Sequence, residues 1–275
     1  PDGDGKAWRD FERHGSDGDF NTLADMGEDA NAKGWRWFNG EVKQLPRGFF
    51  VKVADMVTRP PEYLVADLIE TETMTLLFGD PAAGKSFVAI DLACCVATGR
   101  AFHGHAVKQG STFYIAGEGR NGLKRRFDAW SQQNGTRLDN ANLFTSDGVA
   151  AAFLDNNSAA MVIAAIDNLA ATCGLPKLIV VDTLARNFGP GNENSQEDVG
   201  KFIASLDAMK ARYPGCVVMI VHHSGHAEKD RSRGSSVLKG ALDVEFKVTN
   251  KDGEITLENT KMKDGPKPDA MLFKL

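Results

Sequence analysis

The sequence predicts an α/β fold with a mainly parallel central sheet. Apolar runs such as "KLIVVD" (177–182) and "CVVMIVHH" (216–223) are typical of strands that are buried on both faces. Helical segments separate these runs, and strands that alternate with helices along a chain favour parallel pairing.

Five strands are predicted for the parallel part of the sheet, because each segment is a short run of Val, Ile, Leu or aromatic residues. In chain order they lie at residues 73–78, 111–118, 142–146, 177–182 and 216–223. Four helices are predicted between them, at about 85–98, 121–133, 157–172 and 196–213. The first of these helices is amphipathic and the third is rich in Ala.

The C-terminal part of the chain follows a different pattern. Residues 241–264 alternate at a period of two on both sides of a turn at Asn250–Gly253. This alternation predicts a β-hairpin, which we expect to close the sheet antiparallel.

The N-terminal part, residues 1–40, is rich in Gly and Asp and has two short amphipathic segments, at 8–13 and 20–32. It predicts a small helical extension or tail that buries little core, followed by one domain of residues 41–275. Because the chain begins with Pro rather than Met, we expect it to be a piece of a longer polypeptide.

Composition limits the class of protein. The 275 residues are 42% hydrophobic and 25% charged, and no apolar run approaches the roughly 18 residues of a membrane span. The four cysteines lie in apolar stretches without metal-ligand spacing, so we expect core thiols in a reducing cytoplasm and no zinc site. The net charge of −5 gives no sign of nucleic-acid binding, although a DNA channel needs only a local positive stripe.

The stretch "GDPAAGKS" has the G-x-x-x-x-G-K-[ST] spacing of a P-loop, between a predicted strand and a predicted helix. Gly79 and Gly84 permit backbone conformations that a Cβ would hinder, so that N–H groups can point at a β-phosphate. Lys85 suits the β- and γ-phosphates, and the Ser86 hydroxyl suits Mg²⁺. We therefore expect ATP and Mg²⁺ to bind at Gly79, Asp80, Pro81, Ala82, Ala83, Gly84, Lys85, Ser86 and Phe87.

Polar side chains end three other predicted strands. Asp182 has the Walker B position and would reach Mg²⁺ through a water, while Glu118 could orient the attacking water. His222 and His223 could donate to the γ-phosphate or to bound DNA and report its state.

Five blocks in this order resemble the RepA-type hexameric replicative helicases of plasmids and phages, in the RecA/DnaB-like branch of P-loop ATPases. The blocks, which lie within about residues 64–264, are "GDPAAGKS", "YIAGEG", "LIVVDTLARNFGPGNENSQED", "VVMIVHHSGH" and "RSRGSSVLKGALD". The resemblance implies a RecA-like core, a ring of six subunits with ATP sites at the interfaces, and movement on single-stranded DNA.

The resemblance also implies roles for single residues. Glu118 matches the catalytic glutamate, Asp182 the Walker B aspartate, and His222 or His223 the sensor at the strand end. Arg126 is similar to the helix arginine that stacks on adenine, although this chain is one residue shorter between Glu118 and that position.

Two further sites follow from the resemblance. Arg233 matches the arginine finger that reaches into a neighbour's site, while Lys261 and Lys263 are similar to a Lys-x-Arg pair used for the same task. Arg233 ranks first because lysine lacks the planar fork of arginine. The loop 226–233 is the element that would line the ring channel, with Lys229 and Arg231 as contacts to DNA phosphates.

Residues 6–35 have a short likeness to the helical module that follows the primase domain in phage primase–helicases, which implies a fused or associated primase. The function expected from the whole sequence is an ATP-driven DNA helicase for replication of a mobile element. Three alternatives stay open: a RecA-like ATP switch for recombination or loading, an ATP-gated regulatory oligomer, and a small-molecule kinase.

Overall fold

The computed structural model describes residues 35–38, 41–44, 51–56, 60–117, 120–147, 150–225 and 232–274. Contacts divide the chain into two units, residues 1–60 and 61–275. The predicted amphipathic segments at 8–13 and 20–32 lie outside the described residues.

In the first unit, strand β1 (Trp35–Phe38) pairs antiparallel with β2 (Glu41–Gln44). Residues Val53–Asp55 form a short 3₁₀ helix. The division between residues 40 and 41 that the sequence predicts stays a prediction.

The second unit starts with a small antiparallel pair, β3 (Tyr63–Val65) and β4 (Ile69–Glu70). Among the described residues, one larger sheet has eight strands. In chain order these strands are β5 (Met74–Gly79), β6 (Ser111–Ala116), β7 (Leu143–Thr145), β8 (Pro176–Asp182), β9 (Val217–His223), β10 (Val244–Lys251), β11 (Glu254–Met262) and β12 (Met271–Lys274).

The helices of the second unit connect these strands. They are α1 (Lys85–Thr98), α2 (Arg120–Asn134), α3 (Asn156–Cys173), α4 (Leu184–Asn187), α5 (Gln196–Arg212) and α6 (Ser236–Ala241). Side-chain caps fix two of the predicted starts: Asp155 accepts from the first turn of α3, and Ser195 accepts from the first turn of α5. The predicted long helices are confirmed, whereas the short α4 and α6 carry too little periodicity to stand out in the sequence.

The strand order across the sheet is β12-β11-β10-β5-β9-β8-β6-β7. All pairs from β10 to β7 are parallel, so the carboxyl ends of β5, β9, β8 and β6 share one edge. This arrangement confirms the predicted RecA-like P-loop core. Because β9 lies between β5 and β8, it separates the glycine-rich loop from Asp182.

The C-terminal hairpin is present, with a turn at Asp252 (φ 55°) and Gly253 (φ 86°) between β10 and β11. Its first strand differs from the prediction in direction, because β10 pairs parallel with β5. The chain reaches β10 through α6, a crossover that allows parallel pairing, and only β11 and β12 extend the sheet antiparallel.

The sheet is buried between two hydrophobic clusters. Leu77 of β5 faces the cluster that contains α1 and α2, whereas Leu76 and Phe78 face the cluster that contains α3 and α5. This alternation between two covered faces explains why the strands are apolar throughout. None of the described helices has the length and apolar character that a bilayer crossing requires.

The four cysteines are free thiols. Cys94, Cys95 and Cys216 are buried, and burial raises the pKa of Cys216 to about 12. The prediction of core thiols is wrong for Cys173, which is only half-buried because it is the last residue of α3.

Candidate nucleotide-binding site

The loop from Gly79 to Ser86 joins the end of β5 to the start of α1. Gly84 caps α1 with a left-handed backbone (φ 93°), and Ala82 is also left-handed (φ 62°). Successive left- and right-handed residues turn backbone N–H groups towards one point, and the positive end of α1 lies at the same place. The local geometry is that of an anion cradle.

Gly79 is required for a different reason from the one the sequence predicts. It pairs with Val248 of β10, and a Cβ on Gly79 would lie 2.2 Å from the Val248 carbonyl oxygen. Close approach of a neighbouring strand, and not an unusual backbone angle, therefore excludes a side chain here.

The Lys85 side chain bonds back to the first two residues of the P-loop. Its Nζ donates to the carbonyl oxygens of Gly79 (3.0 Å) and Asp80 (2.7 Å), and the residue is only 6% exposed. Burial lowers the pKa of Lys85, while Asp182 and Asp80 favour its charged form. The buried ammonium is thus held where phosphate oxygens could replace the two carbonyl acceptors.

Asp182 lies at the end of β8 and is almost fully buried. Its Oδ2 accepts a hydrogen bond of 2.5 Å from the hydroxyl of Tyr114. Burial raises the pKa of Tyr114 well above its ordinary value, and the nearby charge of Asp182 raises it further. The phenol therefore stays protonated and remains a donor. Tyr114 was not among the predicted site residues. It lies two residues before Ala116, which pairs with Asp182, so Tyr114 and Asp182 share one face of the sheet.

A cleft of about 270 Å³ brings three predicted site residues together, since Ser86, Asp182 and Arg126 all line it beside Tyr114. A hydroxyl and a carboxylate are hard oxygen donors, which Mg²⁺ prefers when water and phosphate complete its shell. Ser86 and Asp182 therefore fit the predicted magnesium site.

A family model of the AAA domain matches residues 32–229, more than two thirds of the chain. The chain belongs to the AAA domain family. It is therefore a P-loop ATPase, with Gly79–Ser86 as its nucleotide-binding loop. No curated protein matches the chain.

A second, larger cavity of about 900 Å³ opens beside the P-loop of this AAA domain, between α1, α2 and the C-terminal strands. Arg126 lines both cavities, and its guanidinium lies 5.1 Å from the centre of the Phe87 ring. The Phe87 side chain is 47% exposed. A guanidinium plane and an exposed ring that line a cavity suit a flat heterocycle, and the adenine contact expected of Arg126 stays a prediction.

Asp91 organises the wall of this larger cavity. It accepts hydrogen bonds from Trp130 Nε1 (2.7 Å) and from His103 Nε2 (2.7 Å), which come from α2 and from the loop after α1. The His103 ring stacks on Phe273 of β12 at 4.0 Å between ring centres. No local sequence pattern predicts this network, because its residues come from four separate segments of the chain.

The predicted sensor residues end β9 of the AAA domain. His222 is buried, and its Nε2 donates to the carbonyl oxygen of Arg233 at 3.0 Å. Burial lowers the pKa of His222 to about 4, and the charges of Arg233, His223 and Lys85 act in the same direction. His222 is therefore neutral at pH 7, and its side-chain donor is used within the chain.

Arg233 contacts an acidic residue of its own chain. Its Nη2 lies 2.5 Å from Glu193 Oε1, and the two side chains are 28% and 22% exposed. Arg233 lies beyond the residues that the family model matches, so its role as a finger stays a prediction.

The alternative finger residues have structural partners. Lys261 Nζ donates to the carbonyl oxygens of Lys239 (2.7 Å) and Leu242 (2.5 Å) at the end of α6, where a cation complements the helix dipole. Lys263 pairs with Asp243, which raises its pKa. Three other predicted site residues lie outside the described residues: Glu118, Lys229 and Arg231.

Proposed function

We propose that this AAA domain is an ATP-dependent motor that translocates on single-stranded DNA as a ring, with a hexamer as the expected assembly. Its task is to separate duplex DNA during replication of a mobile element, in the cytoplasm and with a fused or associated primase. The resemblance to RepA-type helicases supports the DNA substrate, and the free cysteines suit a reducing compartment.

In this proposal the buried site performs the ATP chemistry. Lys85 exchanges the carbonyl oxygens of the P-loop for β- and γ-phosphate oxygens, and Ser86 and Asp182 hold Mg²⁺, Asp182 through a water. A Mg²⁺ ion held by these two residues would supply positive charge that offsets the negative charge developing in phosphoryl transfer. Tyr114 fixes the Asp182 carboxylate by its hydrogen bond. Glu118 orients the attacking water, and Arg233 of a neighbouring copy stabilises the transferred group.

The observation that carries the proposal is the position of β9 in the sheet. It lies between the P-loop strand and the Asp182 strand, and in the sequence Lys229 and Arg231 follow this strand within eight residues. The resemblance implies that the segment after this strand grips DNA and responds to changes at the phosphates.

The test is the rate of ATP hydrolysis as a function of protein concentration, with and without single-stranded DNA. The wild type is compared with Arg233→Ala and with Arg125→Ala, which removes an exposed arginine from α2. We expect a steep dependence on concentration and stimulation by DNA, both lost in Arg233→Ala and kept in Arg125→Ala. A rate per subunit that is independent of concentration, DNA and Arg233 would contradict the ring motor.

A forked duplex distinguishes the motor from a RecA-like switch. A motor displaces the paired strand in the presence of ATP, whereas a switch hydrolyses ATP without displacing it. DNA-stimulated hydrolysis without displacement would favour the switch.

A further inference from the structure

The helices α1 and α2 line the larger cavity with matching rows of side chains. In each row the residues are four positions apart, a spacing that places side chains on one face of a helix. The rows are Phe87, Asp91 and Cys95 on α1 and Arg126, Trp130 and Asn134 on α2. One face of each helix thus forms a wall of the cavity, so the distance between α1 and α2 determines its width.

Two pairs of residues join these rows. At the first pair, the Arg126 guanidinium lies 5.1 Å from the centre of the Phe87 ring. One turn further along both helices, Trp130 Nε1 donates to Asp91 Oδ1 at 2.7 Å. The Asp91 side chain is only 14% exposed and Trp130 is buried, so water competes little for this bond. A hydrogen bond to a carboxylate is shorter and stronger than one between neutral groups.

The apolar contacts of α2 do not fix its rotation in the same way. Its buried side chains form a narrow stripe of Leu123, Phe127 and Trp130, and Arg126 lies beside that stripe. Hydrophobic contacts are non-directional, whereas a hydrogen bond weakens steeply when its angle changes. The bond between Asp91 and Trp130 therefore fixes the face that α2 turns towards the cavity, one turn away from Arg126.

Asp91 also connects the C-terminal strands to this pair of helices. Its second carboxylate oxygen lies 2.7 Å from His103 Nε2, and the His103 ring stacks on Phe273 at 4.0 Å between ring centres. The next residue of β12, Lys274, lines the cavity. Three walls of the cavity, α1, α2 and β12, are thus connected through one carboxylate.

We propose that Asp91 is a positioning residue for nucleotide binding, which holds α2 so that Arg126 lies where the base of ATP stacks. The proposal rests on the part of the proposed function that concerns ATP and on the adenine contact expected of Arg126. It requires neither DNA nor a ring. Because Asp91 acts through Trp130 and Arg126, it should affect the affinity for the base and not the affinity for the phosphates.

The first test compares the Kd of ATP with the Kd of inorganic triphosphate, which has no base. We expect Asp91→Ala to raise the Kd of ATP by about 2- to 30-fold, as for loss of the Arg126 contact, and to change that of triphosphate by less than about 2-fold. Asp91→Asn keeps an oxygen that accepts from Trp130 and should restore most of the affinity. Trp130→Phe removes only the N–H donor, so it gives the same test even if Asp91→Ala folds poorly.

A second test combines Asp91→Ala with Arg126→Ala. If Asp91 acts through Arg126, the double variant should bind ATP about as tightly as Arg126→Ala alone, because a misplaced guanidinium and an absent one cost the same contact. Losses that add in the double variant would overturn the proposal. Equal losses for ATP and triphosphate in Asp91→Ala would also overturn it.

Asp167→Ala is the matched control. Asp167 also links two helices, since its carboxylate on α3 accepts from Arg212 of α5 and from the Tyr213 hydroxyl, but it lies on the other face of the sheet. The control should lower the free energy of unfolding without changing either Kd.

The outcomes separate this proposal from the ring motor. A wild type that binds triphosphate as tightly as ATP would show that the base makes no contact, and it would overturn the role of Asp91. Failure of DNA to stimulate hydrolysis would overturn the motor, and the expected differences between ATP and triphosphate would remain.

Discussion

Tyr114 and Asp182 lie on adjacent strands and share a 2.5 Å hydrogen bond inside the nucleotide cleft. The raised pKa of Tyr114 keeps its hydroxyl protonated, so the bond always runs from the phenol to the carboxylate. A neutral donor thus holds the Asp182 side chain and leaves the carboxylate its negative charge, which a bound cation would require.

Tyr114→Phe should therefore weaken the binding of Mg²⁺–ATP more than that of ATP alone. The variant removes a hydrogen bond to a charged, buried acceptor, which should also lower the free energy of unfolding by about 1–3 kcal/mol. Equilibrium titrations of ATP with and without Mg²⁺, together with urea unfolding, measure both effects.

Tyr213→Phe is the matched control for this change. Tyr213 also donates to a carboxylate, Asp167 at 3.0 Å, but it precedes β9 and so lies at the opposite edge of the sheet. Tyr213→Phe should lower the free energy of unfolding without changing the difference between the binding of Mg²⁺–ATP and that of ATP alone. Equal Mg²⁺ effects in both variants would contradict the role of Tyr114.

Gly79→Ala should destabilise the fold although alanine is a small residue. Its Cβ would meet the Val248 carbonyl oxygen at 2.2 Å, so β5 and β10 must separate, with an expected loss of about 1–3 kcal/mol. Gly200→Ala is the control, because a Cβ there meets nothing within 4 Å and lies inside α5. The free energy of unfolding of the control variant should rise by about 0.5–1 kcal/mol, because alanine has a higher helix propensity than glycine. Urea unfolding of both variants checks the opposite signs.

Arg126→Ala should weaken ATP binding, because it removes the guanidinium that lies above Phe87 at the junction of the two cavities. A loss of about 0.5–2 kcal/mol corresponds to an increase in Kd of about 2- to 30-fold. Inorganic triphosphate lacks a base, so its Kd should rise less. Arg125→Ala, one residue earlier on α2 and exposed, should leave both affinities unchanged. Equal losses for ATP and triphosphate would place Arg126 at the phosphates instead.

His222 should make stability depend on pH. Its pKa falls from 6.5 to about 4 on folding, so between these values the unfolded chain binds a proton that the folded chain does not. The contribution of His222 to the free energy of unfolding is therefore fully present above pH 6.5. It is lost as the pH falls towards 4, by about 3 kcal/mol in total.

His222→Gln removes this titration and keeps an amide donor for the Arg233 carbonyl oxygen. The difference in unfolding free energy between wild type and variant should shrink from pH 7 to pH 4, as urea unfolding at each pH would measure. A difference that is constant across this range would show that His222 does not titrate as expected.

Local patterns in the sequence were enough to predict the parallel core of the sheet and the P-loop. The buried strands, the long helices and the Gly84–Lys85–Ser86 turn each depend on residues that are close in the chain, where periodicity and spacing are informative. The C-terminal turn at Asp252 and Gly253 was predictable for the same reason.

Only the tertiary structure decided which residues meet across the sheet. The contact of Ser224 with Asp80 spans 144 residues, and that of Tyr114 with Asp182 spans 68. The strand order fixes both contacts, as it fixes the approach of Val248 that requires a glycine at position 79. A single sequence records side-chain types and local spacing, whereas strand order is set by how the two faces of the sheet are buried together. The sequence by itself therefore determined that this protein binds a nucleotide, and the fold decided which side chains hold the site in place.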